Sequence, residues 1–181
     1  MDFNELKKQL PAIFTQVKRD VKKVLNKHRA GLSLGLVEMG MLQGAFIGGM
    51  HFAPGTDIVM NKTPLKIILS SQPYEIVWAY VYHILLHEYI HSLGFLIKQK
   101  PNGEKFEIDL LNEVNCRLTT LAVSKEIFKE ADHPAIILAE RGIGTYIPNL
   151  KITYIPPEMR PDGIDIEYIT DFDQDSMTYY S

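Results

Sequence analysis

The sequence predicts an α+β domain in which a small mixed sheet packs on helices, and three observations support this prediction. With 181 residues, of which 46% are hydrophobic and 23% are charged, the chain has the size and composition of one soluble domain. A long helical pattern at the N-terminus is followed by short apolar runs separated by glycine and proline. Longer segments with apolar residues at helical spacing follow. We place the domain at residues 1–155 and an acidic C-terminal tail at residues 156–181.

The first third of the chain carries one long helix signal and several strand signals. Phe3 to about Lys27 forms a basic amphipathic pattern that predicts a helix, with Pro11 as a kink or a break. Strands are predicted over the apolar runs Leu32–Met39, Ala45–Phe52 and Asp57–Asn61. The last two runs are expected to pair as a hairpin. Thr63 and Pro64 then predict a short helix that ends near Ser70, with Thr63 as its N-cap.

The rest of the chain is mainly helical by its pattern. Helices are predicted over Pro73–Ile97, Phe106–Ala122 and Ser124–Glu140. Pro101-Asn102-Gly103 predicts a turn between the first two, and Pro134 interrupts the third. Lys151–Ile155 and Ile164–Ile169 are interpreted as strands or as an extended tail.

The segment His87-Glu88-Tyr89-Ile90-His91 lies inside the first of these helical patterns and has the H-E-x-x-H spacing of zinc hydrolases. Residues four apart share one face of a helix, so both imidazoles can reach one ion at about 2.0–2.1 Å. Glu88 is rotated by about 100° from His87. Its carboxylate can therefore meet a water on the metal without binding the metal, which is the position of a general base.

A catalytic zinc needs a third protein ligand, and the sequence offers several. The longer motif H-E-x-x-H-x-x-G-x-x-H is matched at Gly94 but fails at its last ligand, where Ile97 stands. The thiolate of Cys116 is a second source, and the carboxylates of Asp109 and Glu113 are a third. We favour Glu113, because on a helical wheel it borders an apolar arc while Asp109 lies further out. That arc consists of Phe106, Leu110, Val114, Leu118 and Leu121.

With Asn112-Glu113-Val114-Asn115-Cys116-Arg117 beginning 21 residues after His91, the sequence resembles the gluzincin type of zinc metallopeptidase and its small members, the minigluzincins. The resemblance implies a zincin-like fold, with a small sheet packed on an active-site helix and a glutamate helix. It also implies that His87, His91 and Glu113 bind zinc and that Glu88 is the general base. The sequence departs from the family where an acid or amide is common, because Arg117 stands there, and this leaves the partner of a ligand histidine unassigned.

The resemblance further implies how a peptide or protein substrate binds. A substrate strand pairs with an exposed edge strand above the active-site helix, for which Asp57–Asn61 and Ala45–Phe52 are candidates. Alternatively, the tail covers that edge. Candidates for the group that stabilises the oxyanion are His133, Tyr146 and Tyr154, among which the spacing does not choose.

Other features are interpreted in two ways. His83 shares the helical stripe and could form a metal pair with His87, although a core role fits it better. His51 is either a hydrogen-bonded histidine of a strand or a group that lines the cleft, and the former fits it better. By the same resemblance, Ile155–Ser181 is expected to block the cleft as an inhibitory extension.

Composition and charge exclude several classes of protein. The net charge of −3 argues against nucleic-acid binding driven by charge. Polar groups in the middle of Val77–Ile97 argue against a membrane span. A lone cysteine excludes an intrachain disulfide, and the N-terminus lacks a secretory pattern, so we expect a cytoplasmic protein. The sequence thus predicts a zinc metallopeptidase, with a non-catalytic, zinc-stabilised module that binds a peptide or partner chain as the alternative.

Overall fold

A computed structural model describes residues 1–39, 48–51, 57–144 and 165–170. The helices of this part are α1 (Phe3–Leu25), α2 (Lys62–Ser71), α3 (Tyr74–Ser92), α4 (Glu113–Phe128) and α5 (Pro134–Gly144). Its strands are β1 (Ser33–Val37), β2 (Gly49–His51), β3 (Asp57–Asn61), β4 (Phe95–Gln99), β5 (Lys105–Asp109) and β6 (Glu167–Thr170). The α+β class predicted from the sequence is confirmed.

Four strands form a mixed sheet in the order β2-β3-β1-β6. The central strands β1 and β3 are parallel, whereas β2 and β6 run antiparallel to their neighbours. Strand β6 lies within the segment that was predicted as a tail. Glu167 of β6 forms ion pairs with Lys7 of α1 and Lys62 of α2, and the Thr170 hydroxyl accepts a hydrogen bond from the Leu34 amide. Residues Glu167–Thr170 are therefore part of the sheet, at the edge opposite β2.

Helix α3 lies at the centre of the packing. It contacts α1, α4 and α5 as well as β2 and β3. Leu85, Leu86, Tyr89 and Ile90 are fully buried, and burial on several sides explains why this helix is apolar almost all round. Among the described residues, no helix combines the length and the hydropathy that a membrane span requires.

Two glycines allow β2 to lie directly on α3. A Cβ atom added at Gly48 would stand 2.6 Å from Ile84 Cδ1 and 2.9 Å from the Tyr80 hydroxyl oxygen. At Gly49 it would stand 2.6 Å from Ile84 Cγ2, 3.0 Å from the Val59 carbonyl oxygen and 3.2 Å from Glu88 Cγ. The backbone at Gly48 and Gly49 thus contacts α3 directly, where any side chain would separate the two. This close packing holds β2 beside Glu88.

The sequence prediction was wrong about the segment after α3. The helix ends at Ser92 rather than Ile97, because Gly94 adopts a φ of +76° that reverses the chain. Strands β4 and β5 then pair as an antiparallel hairpin, where a helix from Phe106 was predicted. Helix α4 begins only at Glu113, with the Asn112 side chain accepting a hydrogen bond from the Asn115 amide as its N-cap.

Most of the apolar arc that was predicted for this helix does not face the core, although Leu110, which precedes α4, is buried there. Val114 and Leu118 are 38% and 50% exposed, while the buried residues of α4 are Cys116, Thr120, Val123 and Ser124. Because residues 105–109 form a strand, part of the arc never lies on a helix. The helical wheel that favoured Glu113 therefore assumed a helix from Phe106, whereas the observed helix begins at Glu113.

Smaller differences concern helix ends and breaks. Helix α1 continues through Pro11 without a break and starts with a capping box formed by Asp2 and Glu5. The N-cap of α2 is Asn61 rather than Thr63. Pro134 begins α5 instead of interrupting a helix. The predicted strand Lys151–Ile155 lies outside the described residues.

Gly49→Ala is expected to destabilise the protein by about 1–3 kcal/mol, because the new methyl group would lie 3.0 Å from the Val59 carbonyl oxygen and 2.6 Å from Ile84 Cγ2. Gly142→Ala is the matched control. Its Cβ atom meets nothing within 4 Å, and alanine in a helix is favoured over glycine by roughly 0.5–1 kcal/mol. Thermal unfolding of both variants measures the difference. A Gly49→Ala variant that is as stable as the wild type would contradict the close packing of β2 on α3.

Candidate metal centre

The two histidines of the motif meet at one point beside α3. Because His87 and His91 are one turn apart, their Nε2 atoms stand 3.1 Å from each other, with the two rings nearly perpendicular. Both side chains are only about 15% exposed. The helix thus presents two imidazole nitrogens to a single partly buried position.

The first residue of α4 brings a carboxylate to the same position. Glu113 Oε1 lies 3.3 Å from His87 Nε2, and Oε2 lies 3.0 Å from His91 Nε2. In a tetrahedral site, ligand atoms about 2.0–2.1 Å from zinc stand roughly 3.3 Å from each other. The spacing of these three groups therefore suits a metal ion of that size.

The β4–β5 hairpin explains how Glu113 arrives there. It leaves the end of α3 at Phe95 and returns at Asp109, so that the Leu110 amide donates to the Gly94 carbonyl at 2.9 Å. The Leu110 carbonyl lies 2.7 Å from His91 Nδ1 and accepts a hydrogen bond from it. This contact orients the ring so that Nε2 faces Glu113.

Cys116 also belongs to the cluster, on another side of His87. Its sulfur lies 3.6 Å from His87 Nδ1, the ring nitrogen that faces away from Glu113, and its thiol donates to the His87 carbonyl at 3.3 Å. One ligand atom from each of His87, His91 and Cys116 lies within 4.8 Å of the others. These three residues could hold a metal ion, and the fully buried Cys116 interacts with His91 as well as with His87.

Arg117 stands where the resemblance to gluzincins predicts an acid or amide, and it contacts the Glu113 carboxylate instead of a histidine. Its Nε donates to Glu113 Oε1 at 2.6 Å, and its guanidinium also binds the Gly142 carbonyl of α5. A planar, permanently charged donor limits the orientations that Glu113 can adopt. Arg117 thus holds the carboxylate through Oε1, the oxygen that also faces His87.

The charges of the cluster depend on one another. Burial disfavours the charged forms, but contacts with Cys116 and Glu113 outweigh it and raise the pKa of both His87 and His91. Conversely, hydrogen bonds from the two histidines lower the pKa of Glu113 against its burial, and they lower that of the Cys116 thiol. A metal ion must displace protons from the imidazoles, so its binding is expected to weaken as pH falls.

Glu88 stands next to the ligand-like groups without joining them. It is 7% exposed, and burial raises the pKa of its carboxyl, although His87, His91 and a hydrogen bond from the His51 backbone amide work against this shift. A carboxyl group whose pKa lies above its ordinary value accepts a proton more readily than an exposed one does. The sequence did not predict the hydrogen bond from the His51 amide, nor the contacts of Leu110 and Arg117. For the His51 amide, the sequence feature that could have indicated a close approach of the backbone is the preceding Gly48-Gly49 pair.

The remaining sequence candidates lie elsewhere. Asp109 is exposed, and its side chain accepts a hydrogen bond from the Leu111 amide. The His133 ring stacks on Phe128, 3.8 Å between centroids, and accepts a hydrogen bond from the Ala135 amide at the start of α5. Phe128 packs on Trp78 and Tyr82, in the first half of α3. Tyr146 and Tyr154 lie outside the described residues.

His83 does not form a metal pair with His87. The two ring centroids are 6.5 Å apart, compared with 4.6 Å for His87 and His91. Burial, followed by the charges of His87 and Arg117, lowers the pKa of His83 to about 3. Its Nδ1 atom is buried and has no hydrogen-bond partner among the described residues, and the lowered pKa favours the neutral form of this half-buried residue.

No protein-family model, curated protein or solved structure matches this chain. The resemblance to gluzincins therefore stays a prediction from the motif residues.

Substitution of each acidic or thiol candidate should reveal the third ligand. Glu113→Gln is expected to weaken Zn²⁺ binding by more than about 100-fold, because it removes the charge that touches both imidazoles. Cys116→Ser should weaken Zn²⁺ binding by about tenfold, as expected for a group that contacts a ligand residue rather than the metal. Calorimetric titration of the metal-stripped proteins measures both, with Asp109→Asn as the matched control. A larger loss in Cys116→Ser than in Glu113→Gln would identify the thiol as the ligand.

Proposed function

We propose that the protein is a zinc-dependent metallopeptidase that hydrolyses peptide bonds. The observation that carries this proposal is the meeting of His87, His91 and Glu113 at one position, with a buried Glu88 beside it and under a sheet edge. Three protein ligands and one open position are the arrangement of a catalytic zinc site. The zincin-like fold is part of the same proposal, supported by the sheet edge lying over the motif helix.

Nitrogen and carboxylate ligands favour zinc over magnesium or calcium, which prefer oxygen ligands alone. A zinc ion held by these residues would act as a Lewis acid towards the peptide carbonyl and make a water molecule more acidic. The Cys116 sulfur lies 3.6 Å from Nδ1 of His87, whereas it is Nε2 of that ring that faces Glu113, and the thiol also interacts with His91. We therefore interpret the thiol as support for the His87 ring, which leaves the fourth position open.

Glu88 performs the proton transfers in this proposal. Its carboxylate takes a proton from the attacking water, whose oxygen bonds to the carbonyl carbon, and then gives that proton to the leaving nitrogen as the peptide bond breaks. The raised pKa of Glu88 suits both steps, because the group must be a base first and an acid afterwards. Burial beneath β2 keeps bulk water from competing for the proton.

The edge of β2 is the proposed binding site for the substrate backbone. The Asn61 amide donates to the Gly48 carbonyl at 2.8 Å, and the pairing Gly49↔Met60, Met50↔Val59, His51↔Ile58 continues from there. In an antiparallel pair, hydrogen-bonded and non-bonded positions alternate. The backbone N–H and C=O of Gly49 therefore face away from β3, towards an edge that has no neighbouring strand among the described residues, and the His51 amide, which faces the same way, donates to Glu88. An extended peptide could add to this edge.

A non-catalytic zinc-stabilised binding module is the second candidate, and Cys116 is the observation that favours it. If the thiol joined His87, His91 and Glu113 around the metal, the site would have four protein ligands and no open position. Such a closed site stabilises a fold without activating water. The role of Glu88 distinguishes the two functions.

Glu88→Gln is expected to keep zinc affinity within a few-fold of the wild type and to lower peptide turnover by about 10²–10⁴-fold, since only the proton acceptor is removed. Hydrolysis of an unstructured peptide by the zinc-loaded protein, together with zinc titration, measures both effects. Glu107→Gln on the exposed face of the hairpin is a matched control. Equal turnover in Glu88→Gln and the wild type, or no turnover in either, would favour the binding module.

The inhibitory role of the C-terminal segment stays part of the proposal, and the position of β6 decides how to test it. A chain that stops before Pro156 would lose β6 and expose β1, whereas one that stops after Thr170 keeps the sheet. We expect the chain ending at Thr170 to unfold at the same temperature as the full chain and to hydrolyse peptides faster. Unchanged activity at unchanged stability would count against an inhibitory role for residues 171–181.

A further inference from the structure

His51 is the last residue of β2, and the strand register shows which way its side chain faces. It pairs with Ile58, which belongs to the main core beside α3. The neighbouring residues Met50 and Val59 pack together on the other face of the sheet. Because side chains alternate along a strand, His51 shares a face with Gly49, the face that rests on α3.

The backbone of His51 contacts the proposed general base directly. Its amide is at a position that faces away from β3, and it donates a hydrogen bond to the Glu88 carboxylate. Two residues earlier, a Cβ atom at Gly49 would lie 3.2 Å from Glu88 Cγ. The strand therefore passes close over Glu88, and the next side chain on that face is the His51 imidazole, which is only partly buried.

We infer that His51 serves the proposed hydrolysis in two ways, a role that rests on the proposed function. Its backbone amide positions the Glu88 carboxylate, and its imidazole donates a hydrogen bond to the carbonyl oxygen of the substrate as that oxygen gains negative charge. The imidazole is the donor for which the sequence offered His133, Tyr146 and Tyr154. Of these, His133 is held on Phe128, away from the cluster.

A donor of this kind acts mainly in the transition state, because the carbonyl oxygen carries its full charge only there. Loss of one oxyanion donor typically lowers kcat by about 10²–10³-fold, whereas substrate binding changes little. A merely structural role of His51 would instead lower zinc affinity, stability or KM together with kcat. The separation of kcat from KM is therefore the informative measurement.

Three substitutions at His51 separate the ring from the amide. His51→Ala removes the imidazole and keeps the amide, and it should lower kcat about 100-fold with KM and zinc affinity nearly unchanged. His51→Gln retains a side-chain donor and should recover part of that loss. His51→Pro removes the amide as well, at an outward-facing edge position that tolerates proline, and should lower kcat further than His51→Ala. Met50→Ala, on the opposite face of β2, is the control with kcat unchanged.

Full kcat in His51→Ala would overturn the role of the imidazole, and equal kcat in His51→Ala and His51→Pro would overturn the role of the amide. Wild-type protein that is loaded with zinc but cleaves no peptide would overturn the proposed function and, with it, the oxyanion role. Amide hydrogen exchange tests the remaining contact without activity. The His51 amide should exchange at least tenfold faster in Glu88→Ala than in the wild type, while the Met50 amide, bonded to β3, stays protected. No change at His51 would overturn the positioning role.

Discussion

The Glu113 carboxylate is the contact on which the candidate centre depends. It touches both imidazoles, it is held by Arg117, and it links α4 to α3 at the point where these helices meet. Three groups that would each be costly to bury alone are stabilised because their charges compensate one another. The placement of this carboxylate in turn depends on the β4–β5 hairpin and on the Asn112 cap, since these determine where α4 begins.

Much of the fold follows from local sequence patterns. The run Asp57–Asn61 was predicted with its observed bounds, and the helix that carries the motif was found from its apolar spacing. The β4–β5 hairpin was not, because Phe106, Leu110 and Val114 also fit the spacing of a helix face. What ended α3 was the conformation of Gly94, and a single glycine near a helix end does not reveal whether the chain turns there.

The candidate site was predictable to the extent that it is local. His87 and His91 lie four residues apart on one helix, so their proximity follows from helix geometry alone. Glu113 was proposed partly from a family resemblance and partly from a helical wheel that proved wrong, although its carboxylate does reach the histidines. Cys116 was among the candidates for the third ligand, whereas the contribution of the His51 amide could not be derived, since it arises from the packing of β2 against α3.

The antiparallel pairing of β1 with β6 joins two segments that lie far apart in the sequence, since the Leu34 amide donates to the Thr170 hydroxyl 136 residues later. During synthesis, the motif helix and the hairpin leave the ribosome well before this last strand exists. The backbone groups of β1 that pair with β6 therefore stay unpaired while the preceding part of the domain folds. Slow closure of so long a loop makes the nascent chain most vulnerable to strand-to-strand aggregation at β1.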